Sequence, residues 1–392
     1  MFKVTFKFGS GEDVTTFAQE GENLLEVARV TNVAIDAPCG GNASCGKCKV
    51  KLVEGELHSP KTRHISDEEY DGGWRLACVS KITGDVAVEV PDIASAYRSR
   101  MKVADLSSKK EIAIFENAKN DLEEAGLTLK NSMDILEVSM EVPSLDDTMP
   151  DNERLVRAIK KATGASKVRL PFQVLTKIAR VFRESNFEVR CVIRTSDEGD
   201  IFVYDVYPKS EDIVIGGLAI DIGTTTVSAL LINMLTGEII GKASAGNGQI
   251  RYGADVINRI IESMKPGGSE KLQKAVIDET INPLIQQMCR ANGFKPEHIY
   301  RMSIAANTTM NHLMAGMEGE PYIPTFYKTN SLFASDIGIA INRDAHIIIA
   351  PNIGSYVGGD ITAGALVSML WNRPEFSLFI DLGTNGELVF GT

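Results

Sequence analysis

Four cysteines near the N-terminus constrain the fold of this chain more than any other feature of its sequence. Cys39, Cys45 and Cys48 follow a C-x5-C-x2-C spacing, and Cys78 stands alone further along the chain. Thiolates that converge on two irons need a loop that wraps tightly and turns its backbone N–H groups toward the sulfurs. The glycines within residues 39–48 permit such conformations at low steric cost. The spacing therefore predicts a [2Fe–2S] cluster with these four cysteines as metal ligands.

The loop differs by one residue from the plant-type C-x4-C-x2-C spacing, and it resembles the adrenodoxin-like branch of [2Fe–2S] ferredoxins. A structural zinc site is the alternative, although zinc sites usually present two close ligand pairs and Cys78 is isolated in sequence. The remaining cysteines, Cys191 and Cys289, fall in phase with apolar neighbours on a strand and on a helix. We expect both to be buried core thiols.

Charge and hydropathy exclude several classes of function. The formal net charge of −11 argues against nucleic-acid binding, which relies on Lys and Arg. Residues 1–8 alternate like a strand and lack the features of a signal peptide, and no apolar run reaches about 18 residues. We therefore expect a cytoplasmic protein that neither crosses a membrane nor is secreted. The acidic residues 67–71 predict a solvated loop, with a face for a basic redox partner as the alternative.

The chain divides into four predicted regions, which together indicate a multidomain α/β and α+β protein. Residues 1–92 have the element order of a β-grasp domain, and residues 93–129 read as a partly helical connector that could carry a hinge or a dimer contact. Residues 130–212 predict a small α+β middle domain, and residues 213–392 form the last region. The expected elements are strands near 3–8, 14–17, 49–53, 85–90, 135–142, 187–195 and 201–207, and helices near 23–30, 111–125, 153–162 and 172–184.

The last region contains one short pattern twice. An apolar strand runs into Asp-Ile-Gly-Thr-Thr-Thr at residues 221–226 and into Asp-Leu-Gly-Thr-Asn-Gly at residues 381–386, and each pattern is followed by a second strand. In such a tip, glycine lets the backbone approach a phosphate, N–H and hydroxyl groups donate to its oxygens, and the aspartate can hold hydrated Mg²⁺. The repetition indicates two related halves. The candidate residues are Asp221, Gly223, Thr224, Thr225 and Thr226, and Asp381, Gly383, Thr384, Asn385 and Gly386.

Two strand-to-helix junctions lie between these hairpins. Asn307 and Thr308 follow one strand, and they would line a nucleotide cleft or cap the next helix. Gly358 and Gly359 open another helix, whose N-terminus offers backbone donors to a phosphate. Asp360 would orient a metal or a water molecule, or it would be the N-cap of that helix.

A further polar group follows the first hairpin. Asp255 and Arg259 have the spacing of an i,i+4 pair on a helix surface, and this is the interpretation we favour. The alternative for these two residues and for Gln249 is a role that faces a partner or a nucleotide.

Taken together, these motifs resemble the reductive activators of corrinoid proteins, the RACo-like family, over the whole chain. The paired tips resemble the phosphate motifs of the acetate kinase, sugar kinase, Hsp70 and actin (ASKHA) superfamily. The resemblance implies a β-grasp [2Fe–2S] ferredoxin domain followed by a small α+β domain and an actin-like, RNase H-like ATPase domain. It also implies that ATP with Mg²⁺ drives return of a corrinoid protein from Co(II) to Co(I). The electron would come from an upstream donor through the cluster, in an anaerobic cytoplasm, and a homodimer is compatible with the family.

Two other functions remain open from the sequence. One is a plain electron carrier whose C-terminal region binds a partner but no nucleotide, and the other is a small-molecule kinase with an accessory cluster. The resembling proteins continue past the second hairpin to an adenosine-binding motif, whereas this sequence stops at Thr392. We therefore expect an incomplete ATPase domain and weak ATP affinity.

Overall fold

The fold is that of a computed structural model, which describes most of the chain. It covers residues 1–8, 13–31, 33, 35, 37, 39, 41, 43–91, 109–127, 131–317, 332–382 and 386–391. Three predicted phosphate-binding residues, Gly383, Thr384 and Asn385, lie outside the described residues. In the described part of the chain, no helix is both long enough and apolar enough to cross a membrane.

The N-terminal sheet has five strands in the order β2-β1-β5-β3-β4, and β1 pairs antiparallel with β2 and parallel with β5. Helix α1 begins after Asn23, whose side chain accepts hydrogen bonds from the N–H groups of Leu25 and Glu26, and it buries Leu24 and Leu25 against the sheet. This arrangement confirms the predicted β-grasp fold. The bounds are β1 (Phe2–Phe8), β2 (Val14–Ala18), α1 (Leu24–Val30), β3 (Lys49–His58), β4 (Trp74–Leu76) and β5 (Lys81–Val90).

The acidic residues 67–71 form a short helix, so the predicted loop is wrong. Helix α2 (Asp67–Asp71) begins at Ser66, which exchanges hydrogen bonds with Glu69 in a capping box. Acidic side chains in a first helical turn are stabilised by the positive end of the helix dipole. Two lysines neutralise part of the charge, since Lys49 pairs with Glu69 and Lys61 pairs with Asp67.

A second sheet, in the order β6-β8-β9-β7, follows a connector helix and carries two helices on one face. Helix α5 begins after Pro171 and places Val174, Ile178 and Phe182 in the core, because their spacing puts them on one helical face. Cys191 is fully buried in the same core, which confirms its predicted role. The bounds are α3 (Lys109–Glu124), β6 (Met133–Ser139), α4 (Asp151–Thr163), β7 (Val168–Arg169), α5 (Phe172–Glu184), β8 (Glu188–Thr195) and β9 (Ile201–Pro208).

A third sheet, in the order β12-β11-β10-β13-β14, begins with an antiparallel hairpin and continues with parallel strands. Ile220 and Ile222 of β10 point into the core, whereas Asp221 lies on the opposite face. Cys289 is buried in this core, as predicted. The bounds are β10 (Gly216–Ile222), β11 (Thr226–Asn233), β12 (Ile239–Gly246), α6 (Val256–Ser263), α7 (Gly268–Val276), α8 (Asn282–Ala291), β13 (Ile299–Ala306), α9 (Thr308–Met314), α10 (Ala334–Ile337), β14 (His346–Ile349) and α11 (Gly359–Val367).

The second copy of the hairpin pattern forms a separate two-stranded sheet of β15 (Ser377–Leu382) and β16 (Gly386–Gly391). It packs against α11, where a Cβ at Gly364 would lie only 2.4 Å from the ring of Phe379. The multidomain α/β and α+β fold is therefore confirmed. The exact boundaries at residues 92, 129 and 212 stay predictions.

The sheets also contact one another. The second sheet packs on the third through an apolar cluster that includes Tyr204 and Tyr300, and the Tyr204 hydroxyl lies 2.6 Å from Nδ1 of His346. The N-terminal domain reaches the third sheet through Arg29 at the end of α1. Its Nε donates a hydrogen bond of 2.7 Å to the carbonyl of Arg251, in the turn after β12.

Candidate cluster and phosphate sites

The four cysteines predicted as cluster ligands lie in two pairs. Sγ of Cys45 is 3.3 Å from Sγ of Cys39, and Cys48 is hydrogen-bonded to Cys78. The pairs are close enough to influence each other, because charge on Cys39 raises the pKa of both Cys48 and Cys78. In the described residues no three His, Cys, Asp and Glu side chains meet closely enough to hold a single metal ion. Two thiol pairs match the four-thiolate ligation of a two-iron centre.

Backbone N–H groups hold the first pair. Burial would raise the pKa of Cys39, but the hydrogen bond from Cys45 and those from the backbone of Ser44, Cys45 and Gly41 lower it to about 6. Burial raises the pKa of Cys45, although the Lys47 N–H donates to its sulfur. N–H donors stabilise a thiolate, which is the form that binds iron.

The second pair is deeper. The hydrogen bond to Cys78 and then burial raise the pKa of Cys48, and the same hydrogen bond lowers the pKa of Cys78. The backbone here is anchored to the helix before the loop, because Nδ2 of Asn23 donates to the Cys78 carbonyl at 2.8 Å. The cap of α1 therefore also fixes the most distant ligand.

The loop conformation depends on residues with positive φ. Gly41 has a φ of +96° and Gly46 a φ of +67°, and Ala43 also lies in this region. A Cβ at Gly46 would lie 2.5 Å from Cβ of His64, and one at Gly41 would lie 3.2 Å from the Leu25 side chain. The loop is thus a close-fitting cradle with inward N–H groups, and its residues fit a [2Fe–2S] cluster.

The three aspartates predicted for the phosphate site come within electrostatic range of one another. Burial, together with the charges of Asp360 and Asp381, raises the pKa of Asp221 to about 6. Glu387 joins the group, because burial, Asp360 and Asp381 raise its pKa as well. The raised pKa values of Asp221, Asp360 and Glu387 reflect burial together with a local excess of negative charge, which attracts a divalent cation. No three of these described carboxylates lie close enough to ligate one ion directly, so they suit a cation that keeps its water shell. The sequence signal for Glu387 was its place directly after the second tip pattern, and the structure pairs it with Asp381.

The tip of the first hairpin is held from one side by three donors. Nδ2 of Asn247 donates to the carbonyl of Gly223 at 2.9 Å, and the Asn247 N–H donates to that of Thr225 at 2.8 Å. Nη2 of Arg259 donates to the carbonyl between them, that of Thr224. Three successive carbonyls therefore point to the same side of the tip.

Arg259 is fully buried, so the predicted surface pair with Asp255 is wrong. Its other hydrogen bonds go to the carbonyl of Gly253 at 2.9 Å, to Oε1 of Gln249 at 3.2 Å and to Sδ of Met310 at 3.0 Å. Asp255 instead caps α6. Burial lowers the pKa of Arg259 to about 9.

Helix α11, whose N-terminus was predicted to offer donors to a phosphate, begins at the expected residues. Gly358 is the N-cap of α11, so the N-cap alternative for Asp360 is wrong and its carboxylate belongs to the first turn. A Cβ at Gly358 would lie 2.3 Å from the carbonyl oxygen of Ala306, so only glycine lets the helix start touch the end of β13. The N–H of Gly359 donates to Oδ1 of Asn352 at 3.1 Å.

Asn307 and Thr308 lie at the start of α9. Oδ1 of Asn307 accepts from the N–H of Met310 at 2.9 Å, as the capping alternative predicted. The hydroxyl of Thr308 donates to the carbonyl of Gly354, which fixes the loop before α11. Both side chains are buried, and their hydrogen bonds go to the backbone of the junction itself.

An open pocket of about 390 Å³ lies beside Asp221 on the exposed face of the third sheet. Most of the side chains that line it are small. The lining residues include Ala219, Asp221, Ser228, Lys242, Ser303 and Ala363.

Three family descriptions match successive parts of the chain. Residues 8–83 match the 2Fe-2S iron-sulfur cluster binding domain. Residues 122–212 match the RACo linker region, and residues 216–373 match the RACo middle region. The domain that we predicted as the middle domain thus corresponds to the family's linker region.

The chain is also similar to individual proteins, over its whole length or over its N-terminal domain. The chain is 26% identical over 385 residues to the corrinoid activation enzyme RamQ of Eubacterium limosum, covering 94% of this chain and 56% of RamQ. Over 88 residues it is 32% identical to a component of the Na(+)-translocating NADH-quinone reductase of Chlamydia felis, covering 22% of this chain and 20% of that component. The solved structure of a reductive activator for corrinoid, iron-sulfur protein matches 100% of this chain and 61% of its own, at 31% identity and a TM-score of 0.58.

Proposed function

Because this chain belongs to the RACo-like family, we propose that it reductively activates a corrinoid protein, returning Co(II) to Co(I) with one electron and with ATP. The supporting observation is that one chain holds both two thiol pairs and a hairpin tip braced by Asn247 and Arg259. The first fits a redox centre and the second fits a phosphate. The chain spans 56% of RamQ and 61% of the solved activator.

For the redox centre, we propose that Cys39 and Cys45 hold one iron and that Cys48 and Cys78 hold the other. The N–H donors directed at these sulfurs support the thiolate form that iron requires. When bound, the cluster supplies a one-electron reductant, and plant-type centres have potentials near about −400 mV.

We propose a role for nucleotide because electron transfer from such a low-potential cluster to a Co(II) corrinoid is unfavourable in free energy. Each 100 mV of gap costs about 2.3 kcal/mol per electron. We propose that ATP binding or hydrolysis closes the gap by changing how the actin-like half grips the corrinoid protein, which shifts the ligation of the cobalt.

The proposed nucleotide site combines the two tips with the two junctions. Asp221, Asp360 and Asp381 hold hydrated Mg²⁺ or orient water, and Glu387 adds a fourth carboxylate. The residues proposed to line the nucleotide site are Gly223, Thr224, Thr225, Thr226, Asn307, Gly358, Gly359, Gly383, Thr384, Asn385 and Gly386.

The proposed partners are a corrinoid protein, an upstream electron donor that reloads the cluster, and a second copy of the chain in a homodimer. We place the reaction in an anaerobic cytoplasm. A low-potential iron–sulfur cluster loses its electron to oxygen, so the electron reaches cobalt only where oxygen is scarce.

The test is Co(II) to Co(I) reduction of a corrinoid protein by the reduced chain, followed by absorbance with and without MgATP. We expect MgATP to stimulate reduction, and Asp221→Ala to abolish the stimulation while the cluster spectrum stays intact. Asp212→Ala, which removes an exposed carboxylate outside the site, is the matched control and should change neither. Reduction that proceeds equally without ATP would favour the plain electron carrier.

A further inference from the structure

The brace behind the first hairpin tip has a geometric consequence for the N–H groups there. In a trans peptide the C=O and N–H groups point in opposite directions. The carbonyls of Gly223 and Thr224 point toward Asn247 and Arg259. The N–H groups of Thr224 and Thr225, in the same two peptides, therefore point away from the brace.

The brace also strengthens these N–H groups as donors. A hydrogen bond accepted by a carbonyl polarises its peptide, so the N–H of that peptide donates more strongly. The effect is larger when the donor to the carbonyl is charged. Arg259 supplies such a charge to the peptide between Thr224 and Thr225.

Within the described part of the chain, the guanidinium of Arg259 contacts only uncharged acceptors. Its four hydrogen-bond acceptors are two carbonyls, one amide oxygen and one thioether sulfur. The carboxylate of Asp255 acts on it at longer range, since its oxygens accept from Asn258. Arg154 is a useful contrast, because it is equally buried but is paired directly with Asp147 at 2.7 Å. A buried cation without a contacting anion costs free energy of folding, which its hydrogen bonds offset only in part.

We propose that Arg259, together with Asn247, pre-organises the hairpin tip as a binding site for the phosphates of a nucleoside triphosphate. Arg259 acts as a positioning residue. It orients and polarises the tip through the Thr224 carbonyl, and its charge attracts a phosphate across that peptide. This assignment rests on the proposed function, because it specifies how the first tip would hold the polyphosphate of ATP.

The experiment titrates Mg-tripolyphosphate and MgATP into the full chain by calorimetry. We expect Arg259→Gln to weaken binding of both by about tenfold or more, as for loss of a hydrogen bond to a charged group. Arg259→Lys keeps the charge and should recover a measurable part of the affinity. A purely structural role predicts that the Lys variant binds no better than the Gln variant, and that outcome would overturn the assignment.

Arg154→Gln controls for stability, because it removes an equally buried guanidinium far from the tip. We expect it to lower the melting temperature without changing phosphate affinity. If Arg259→Gln does not fold, Asn247→Ser removes the donor to Gly223 but keeps the backbone N–H to Thr225. It should weaken binding by about threefold to tenfold, and unchanged affinity would overturn the proposal.

The outcomes separate this proposal from the function on which it rests. A wild-type chain that reduces corrinoid protein with MgATP, beside an Arg259→Gln variant with wild-type phosphate affinity, would remove Arg259 from the mechanism alone. A wild-type chain that binds neither ligand would overturn both.

Discussion

At the scale of single residues, the cluster loop depends on glycines with positive φ. Gly46 has a φ of +67°, and a Cβ there would lie 2.5 Å from Cβ of His64. Gly21 has a φ of +85°, but nothing lies within 4 Å of its hypothetical Cβ. Alanine would strain the backbone similarly at both positions, by about 1 kcal/mol. At Gly46 it would also displace His64 and the loop between Cys45 and Cys48.

We therefore expect Gly46→Ala to lower the iron and sulfide content of the purified chain to less than about half of the wild-type value, given strain and displacement together. Gly21→Ala is the matched control, and it should retain wild-type cluster content with a slightly lower melting temperature. Chemical analysis of iron and sulfide, with absorbance spectra, would check this. Equal cluster content in the two variants would show that the close fit at Gly46 is unimportant.

Arg259 shows where inference from sequence reached its limit. Its spacing from Asp255 indicated a surface pair, because charged residues are seldom fully buried. The structure buries Arg259 because the carbonyls of Thr224 and Gly253 accept its hydrogen bonds. Thr224 is far from Arg259 in sequence, so only the folded chain brings these two carbonyls together. Its phase with Val256 and Ile260, on the buried face of α6, was the available signal. The four cysteines needed no such tertiary information, because their spacing alone indicated the ligand set.

At the scale of elements, alternation and helical periodicity predicted most strands and helices to within a few residues. Helix α5 has the predicted bounds, because its apolar spacing is strong and Pro171 precedes it. Helix α2 was missed because its residues are mostly charged and it has no apolar periodicity. Its stability comes from the capping box and from lysines on β3 and in the following loop.

The junction of β9 with β14 provides a pH-dependent contact. His346 lies against Tyr204 and Phe333, and its Nδ1 is 2.6 Å from the Tyr204 hydroxyl. Burial, together with the charges of Arg194 and Arg301, lowers the pKa of His346 to about 4. The folded chain therefore holds this imidazole neutral at pH values where the unfolded chain protonates it.

The unfolding free energy should consequently fall as the pH decreases from about 6.5 toward about 4, since the unfolded state binds more protons in that window. His346→Asn keeps a polar partner for Tyr204 but does not titrate in this range. Between pH 7 and pH 5 it should lose less stability than the wild type, by up to about 2 kcal/mol. Urea denaturation at both pH values measures the difference, and identical acid sensitivity would contradict the role of His346.

At the scale of the whole molecule, a polar contact links the N-terminal domain to the third sheet. Arg29 is almost fully buried, and its Nε donates to the Arg251 carbonyl at 2.7 Å, while its Nη1 pairs with Glu26 at 2.6 Å. Arg251 forms its own ion pair with Glu279. Each of these two arginines is thus paired with a carboxylate of its own domain.

We expect Arg29→Ala to undock the N-terminal domain, because a hydrogen bond from a charged group contributes about 1.5–3 kcal/mol. Small-angle X-ray scattering should show a larger radius of gyration, while the cluster spectrum stays that of the wild type. Arg63→Ala, which removes the same charge from an exposed position of the same domain, should scatter like the wild type. A radius of gyration unchanged by Arg29→Ala would mean that the domain is held elsewhere.

The turn that receives Arg29 is the turn that braces the hairpin tip, since Arg251 lies between Asn247 and Gly253. Thermodynamic linkage makes the two ends of this turn reciprocal. If phosphate at the tip tightens docking of the redox domain by some factor, docking tightens phosphate binding by the same factor. Measuring either effect therefore gives the coupling free energy between phosphate binding and docking. The ratio of the phosphate affinities of the wild-type chain and Arg29→Ala would therefore measure how strongly phosphate binding is coupled to docking of the N-terminal domain.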